Sequence, residues 1–143
     1  MQKREVFEIN NLPADTTADA KKFRIIKQKT YTGDILIKDC DKHGNFVVIE
    51  NAGRGDHRLS GFRISRFIGG KERSFTFPDH FALGPRETVQ VSARGSSPDR
   101  GNYYIYHLVY ESDTTWGTSA TFVTRLFNPQ GNEVALLEVR PAS

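Results

Sequence analysis

Thr88-Val89-Gln90-Val91-Ser92-Ala93 alternates polar and apolar side chains residue by residue. A period of two puts each set on its own face of an extended chain, which predicts a half-buried strand. The same reading holds outward from it. Phe62 and Ile64 alternate with Arg63 and Ser65, and Ile35 with Ile37 does so more weakly. Phe46-Val47-Val48-Ile49 and Leu108-Val109 are apolar at consecutive positions, which predicts strands covered on both faces. Val134-Ala135-Leu136-Leu137-Glu138-Val139 fits a strand and also a helical turn. Turn residues punctuate these runs at His43-Gly44-Asn45, Asn51-Ala52-Gly53, Gly69-Gly70, Gly84-Pro85, Ser97-Pro98-Asp99 and Asn128-Pro129-Gln130-Gly131. About eight short strands at this spacing predict an all-β sandwich or barrel.

The first 33 residues read differently. They hold seven Lys or Arg against four Asp or Glu, which is the whole formal net charge of +3 in a chain of 143 residues. Residues 34–143 balance at thirteen of each sign. Leu12-Pro13 breaks the segment, and Asp15-Thr16-Thr17 can cap a short helix from Ala18 to Lys29 with Ala20, Phe23 and Ile26 on one face. We therefore expect a basic, mostly flexible arm over 1–33, a β domain over 34–140 and a tail over 141–143. Lys21, Lys22, Arg24, Lys27 and Lys29 are the arm's candidates for contact with an acidic partner.

Chemistry is harder to find. Asp39-Cys40-Asp41-Lys42-His43-Gly44 with Glu50 mimics a calcium loop, but His43 stands at an oxygen-ligand position and both flanks are strand-forming. Arg54-Gly55-Asp56 spells an adhesion tripeptide, which works only outside the cell. Met1-Gln2-Lys3-Arg4-Glu5 has no apolar run after its charges, so no export signal is expected. The single Cys40 excludes an internal disulfide and a four-cysteine zinc site, and favours a reducing setting. His43, His57, His80 and His107 show no ligand spacing. No Gly-x-Ser-x-Gly elbow or phosphate loop is present. Tyr103-Tyr104-Ile105-Tyr106 and Tyr110 lack interleaved basic residues, so a sheet face is expected there rather than a base-stacking platform. Neither catalysis nor a cofactor nor a metal is expected.

In order and spacing, six blocks resemble the lamin-tail domain, the immunoglobulin-like module of intermediate-filament tails. They are Gly44–Asn51, Leu59–Arg66, Phe75–Leu83, Val89–Ala93, Trp116-Gly117 and Gly131–Ala135. The resemblance covers residues 33 to about 139 and implies an immunoglobulin-like two-sheet sandwich. Phe46, Val48, Phe62, Ile64, Phe77, Val89, Val91 and Trp116 are expected in its core. It also implies a non-enzymatic structural and interaction module of a cytoplasmic, cytoskeletal filament, whose partners are filament proteins and filament-associated proteins. The parent chain would dimerise through a coiled-coil rod, since no heptads occur in these residues. The isolated domain is expected to be monomeric.

Loops carry recognition on rigid scaffolds, so Arg54, His57, Arg58, Arg94 and Arg100 are the candidate contacts in the Asn51–Leu59 and Arg94–Asn102 loops. A nuclear lamin-type tail at the lamina, binding chromatin, DNA or envelope proteins, is the alternative. The neutral body and Thr76, where vertebrate lamins tend to carry a basic residue, rank nucleic acid lower. The ending Arg140-Pro141-Ala142-Ser143 has no prenylation motif, and no run is long enough to span a membrane. A stand-alone adaptor carrying this domain is the third reading.

Overall fold

The computed structural model describes residues 2–10, 24–96 and 106–142. Among them the chain forms twelve strands: β1 (Gln2–Asn10), β2 (Arg24–Thr32), β3 (Ile35–Cys40), β4 (Phe46–Asn51), β5 (His57–Arg58), β6 (Arg63–Ile68), β7 (Lys71–Thr76), β8 (Ala82–Leu83), β9 (Thr88–Ala93), β10 (Tyr106–Tyr110), β11 (Phe122–Phe127) and β12 (Glu133–Pro141). A six-stranded sheet runs β1-β2-β12-β11-β6-β7, and a four-stranded sheet runs β10-β9-β4-β3. The short pair β5-β8 is separate. All pairings are antiparallel except β9 with β10. The count exceeds the expected eight because β5 and β8 are two residues each and β1 and β2 fall in the expected arm.

The arm is thus replaced, where it is described, by sheet. Residues 24–32 pair with β12 along Ile25↔Pro141 to Tyr31↔Ala135, and β1 pairs with β2 along all nine residues. The helix expected from Ala18 to Lys29 gives way to strand over 24–29, and the sheet begins ahead of residue 34. The physical reason lies in the face that β2 turns inward. Tyr31 joins the core, and Ile25 packs against it. Lys27 and Lys29, four and two residues before Tyr31, occupy the same face and meet carboxylates there. The cap at Asp15-Thr16-Thr17 lies outside the described residues.

The core lies between the inner faces. Ile64, Phe122, Leu126, Ala135, Leu137 and Val139 come from the larger sheet, and Ile35, Ile37, Val47, Ile49, Val89, Val91 and Tyr110 from the smaller. Ile37 pairs with Ile49 but Asp39 pairs with Val48, so the register slips at Lys38. An extra residue in one strand resets its alternation. Cys40 is thereby buried beside Ile35 and Ile37, although its number has the other parity. Of the expected core, Val48, Phe62, Ile64, Phe77, Val89, Val91 and Trp116 are buried. Phe46 is only half-buried, at the start of β4 on the face opposite Val47.

All six residues of β9 are buried, where the alternation predicts one wet face. The polar set satisfies itself: Gln90 Nε2 donates to Ser92 Oγ at 3.1 Å, and His107 Nε2 lies 2.9 Å from the same oxygen. Val134–Val139 resolves as strand, within β12.

A charge sits inside this core. Arg66 is 1% exposed. Its Nε donates to Thr124 Oγ1 at 2.8 Å and its Nη1 to the Gly117 carbonyl at 3.0 Å. The guanidinium stands over the Phe122 ring at 4.4 Å. Trp116 stacks on Tyr110 at 4.4 Å between ring centres and donates its Nε1–H to the Val91 carbonyl at 3.1 Å. Its backbone N–H reaches the Gly44 carbonyl at 2.8 Å. Gly44 itself has φ +79°, and a Cβ there would stand 2.5 Å from Thr115 Oγ1.

Candidate interaction surfaces

One end of the sandwich is organised by Asn51, fully buried at the end of β4. Its Nδ2 donates to the carbonyls of Gly55 (2.8 Å), Leu83 (3.0 Å) and Gly84 (3.1 Å), and its Oδ1 accepts the Gly53 N–H at 2.9 Å. Its backbone N–H bonds Glu87 O at 3.0 Å, and its carbonyl takes Arg86 N–H at 2.8 Å. One side chain therefore fixes the 52–56 loop against the 83–87 turn. Gly53 is required for a second reason: a Cβ there would lie 2.6 Å from the carboxylate of Asp34.

Beside this knot is a hollow of about 270 Å³, walled by Asp34, Ile35, His57, Phe62, Pro129 and Val134 among others. His57 meets Phe62 edge to face, with ring centres 6.0 Å apart. Such a hollow offers one carboxylate, one imidazole and an apolar floor, which suits a docked side chain.

The candidate loop residues do not converge. Arg54 and Arg58 are exposed and His57 is half-buried near this end. Arg94 follows β9 at the opposite end, where its Nη1 donates to the Glu111 carbonyl at 3.0 Å. Arg100 lies outside the described residues, as do Tyr103 and Tyr104.

Two basic residues of the expected arm, Lys27 and Lys29, are turned inward. Lys27, with its side chain 13% exposed, pairs with the Asp39 carboxylate and donates to the Cys40 carbonyl at 3.2 Å. Burial pulls the Lys29 ammonium below its ordinary range, against the opposing charges of Glu5, Asp39 and Glu50. Arg24 opens β2, and Lys21 and Lys22 lie outside the described residues. Lys27, Asp39, Cys40, Asp41, Lys42 and Phe46 also line a smaller hollow of about 190 Å³. Cys40 itself is fully buried, and burial pushes its thiol up despite nearby Arg66, so it is held in the unreactive form. Among the described residues no three His, Cys, Asp or Glu gather as metal ligands, and no helix is long and apolar enough to cross a membrane.

A polar node that the sequence does not announce is Asp113. Its carboxylate accepts Lys71 Nζ at 2.9 Å, Arg73 Nε at 3.0 Å and the Thr114 N–H at 2.7 Å. The Lys71 and Thr114 bonds, followed by Arg73, hold its pKa far below the ordinary carboxylate range. A carboxylate depressed on folding adds stability that is complete above its unfolded value of about 4. That contribution is lost as the pH falls from there through the lower folded value. Urea unfolding between pH 7 and pH 2 is expected to show a steeper acid loss for the native chain than for Asp113→Asn. Equal slopes would remove the node from the stability of the fold.

With the geometry established, comparison with known proteins finds a family model, Lamin Tail Domain, matching residues 28–140. Intermediate filament protein ifa-2 of Caenorhabditis elegans is 33% identical over 82% of this chain and 22% of its own length. Muscle cell intermediate filament protein OV71 of Onchocerca volvulus is 35% identical over 76% of this chain and 25% of its own. Human Lamin-B2 is 30% identical over 85% of this chain and 19% of its own. The chain thus spans about a fifth to a quarter of the length of these curated relatives.

Proposed function

This chain belongs to the lamin tail domain family, and from that premise we propose that it serves as the tail module of an intermediate-filament protein, organising filaments and binding their partners without catalysis. The observation that carries this reading is the match over residues 28–140, which coincides with the strands from β2 to β12. A sandwich of this kind has no means of polymerising by itself, because the coiled coil supplies that drive. Its work is then to present loops and edges along a filament assembled by other segments.

We place it on cytoplasmic filaments. The relatives named ifa-2 and OV71 are intermediate filament proteins, one of them of muscle cells by name. Inward-turned Lys27 and Lys29 also leave less positive charge for a phosphate backbone, whose binding rests on such contacts. The hollow at Asp34 and His57 is the surface we assign to partner recognition.

The test is co-sedimentation of the 143-residue chain with intermediate filaments purified from the source cells. Pelleting with the filaments, saturable and competed by untagged chain, is the expected result. A chain that stays in the supernatant at every filament concentration would end this reading. The nuclear alternative draws on the Lamin-B2 similarity. A fluorescent fusion concentrated at the nuclear rim, with DNA binding that weakens steeply in salt, would favour it.

A further inference from the structure

β1 is the outer strand of the six-stranded sheet. One of its edges pairs with β2 over nine residues; the other meets no described strand. A strand edge that long is a template for pairing with another chain. We propose that its occupant is a second copy of this chain, with β1 pairing antiparallel to β1 about a two-fold axis and joining two six-stranded sheets into one of twelve.

The strand's own sequence, Gln2-Lys3-Arg4-Glu5-Val6-Phe7-Glu8-Ile9-Asn10, selects that partner and its register. Residues directly opposite in an antiparallel pair share a face. Tyr31 turns inward to the core, so its pairing with Lys3 puts the odd-numbered positions of β1 on the inner face and the even-numbered ones outside. Lys3 and Glu5, at two of the inner positions, are engaged within the chain. Lys3 Nζ lies 5.8 Å from the centre of the Tyr31 ring, and Glu5 hydrogen-bonds Tyr31.

A two-fold pairing that keeps the sheet faces aligned must join positions of equal parity. Centring it on Arg4 sets Arg4 against Arg4 and overlaps only five positions, and its two Lys3–Glu5 pairs would join side chains already engaged with Tyr31. Centring it on Glu5 sets two carboxylates together. Centring it on Phe7 leaves no opposite-charge pair. Centred on Val6, all nine positions overlap. Register then places Arg4 across from Glu8 twice and Val6 against Val6. Opposite charges facing across strands stabilise and like charges oppose pairing, so one register is favoured and its neighbours are disfavoured.

The outer face supports the same arrangement. Val6, 55% exposed, pairs by register with Gln28, then Glu138, then Val123. Val123 shares a hollow with Phe67, itself 68% exposed. Two of the three large apolar side chains exposed among the described residues thus lie along one outward band. The two-fold axis continues that band across the joint. One strand edge buries far less than the roughly 800 Å² per partner of a standard interface, so the dimer is weak, dissociating on the order of 10⁻⁴ M. The monomer expected for the chain in isolation is then its dilute form.

Sedimentation equilibrium of the 143-residue chain from about 10 µM to about 1 mM tests this, with Arg4→Glu and Glu8→Arg as separate variants. Each variant alone faces two like-charge pairs and should self-associate about tenfold more weakly. An equimolar mixture of the two turns both pairs attractive again, and should recover native association as a heterodimer. Folding is controlled within the same experiment, since a misfolded variant cannot be rescued by mixing. A native chain that stays monomeric at 1 mM would overturn the proposal. So would variants that associate as the native chain does, or a mixture no tighter than its components.

Discussion

Trp116→Ala is expected to lower the unfolding free energy by about 3–5 kcal/mol, the usual cost of deleting a fully buried indole. Three contacts go at once: the stack on Tyr110, the Nε1–H bond to the Val91 carbonyl, and the wall that Trp116 forms beside Arg66. The last enlarges the loss. A guanidinium that is already short of a partner at Nη2 among the described residues would border a cavity. Domains hold only about 5–15 kcal/mol in total, so a large part of the stability goes with one side chain. Trp116→Phe keeps a ring against Tyr110 but loses the buried hydrogen bond to the Val91 carbonyl, and should cost about 1–3 kcal/mol. Trp116 is the only tryptophan. Urea unfolding must therefore be followed by circular dichroism. A cost below about 1 kcal/mol for the alanine variant would mean the site collapses onto the void.

Asn51→Ala is the second large effect, at about 2–4 kcal/mol. It adds little cavity; its cost comes from four hydrogen bonds lost at once, three to carbonyls and one from the Gly53 N–H, although the Gly84 carbonyl keeps the Glu87 N–H. Asn51→Asp separates the donor from the shape. The carboxylate fills the same space and can still accept the Gly53 N–H, but it turns a negative charge toward the carbonyls of Gly55, Leu83 and Gly84. That variant should be at least as unstable as the alanine one at pH 7 and partly recover as the pH falls and the acid protonates. A pH-independent deficit would show that the carbonyls find other donors. Hydrogen exchange should localise the loosening to residues 52–58 and 83–87.

These two residues also show what a sequence discloses. A tryptophan in so polar a chain advertises burial by its area alone, and the alternation at 62–66 and 88–93 marks core strands directly. Asn51 reads as an ordinary turn residue; nothing local reveals that its amide is shared among carbonyls up to 33 residues away. β2 is hidden for a related reason. Its inward positions include Lys27 and Lys29, so the binary pattern looks like a solvated arm until Asp39 and Glu50 arrive from other strands. The slip at Lys38 inverts the expected facing of Asp39 and Cys40, which no period-two count anticipates. Arg66 is indistinguishable by pattern from half-buried Arg63 and exposed Arg58. As for the recognition surfaces, the loop ending at Leu59 was legible from its turn residues. The hollow beside it was not, because its walls come from strands distant in sequence.

The order of the first three positions in the large sheet has a mechanical consequence. Ile25 pairs with Pro141, so the start of β2 and the end of β12 leave the sheet on the same side. Tension between those two points alone would part the strands one rung at a time. β1 reverses this. Gln2 pairs with Thr32, at the far end of the sheet from Pro141. Seven residues at about 3.3 Å each separate the two points along the strands, against only about 10 Å across them. A pull between Gln2 and Pro141 is therefore directed nearly along the strands. It loads the nine rungs between β1 and β2 together, in shear, and they share the force until they slip as a group.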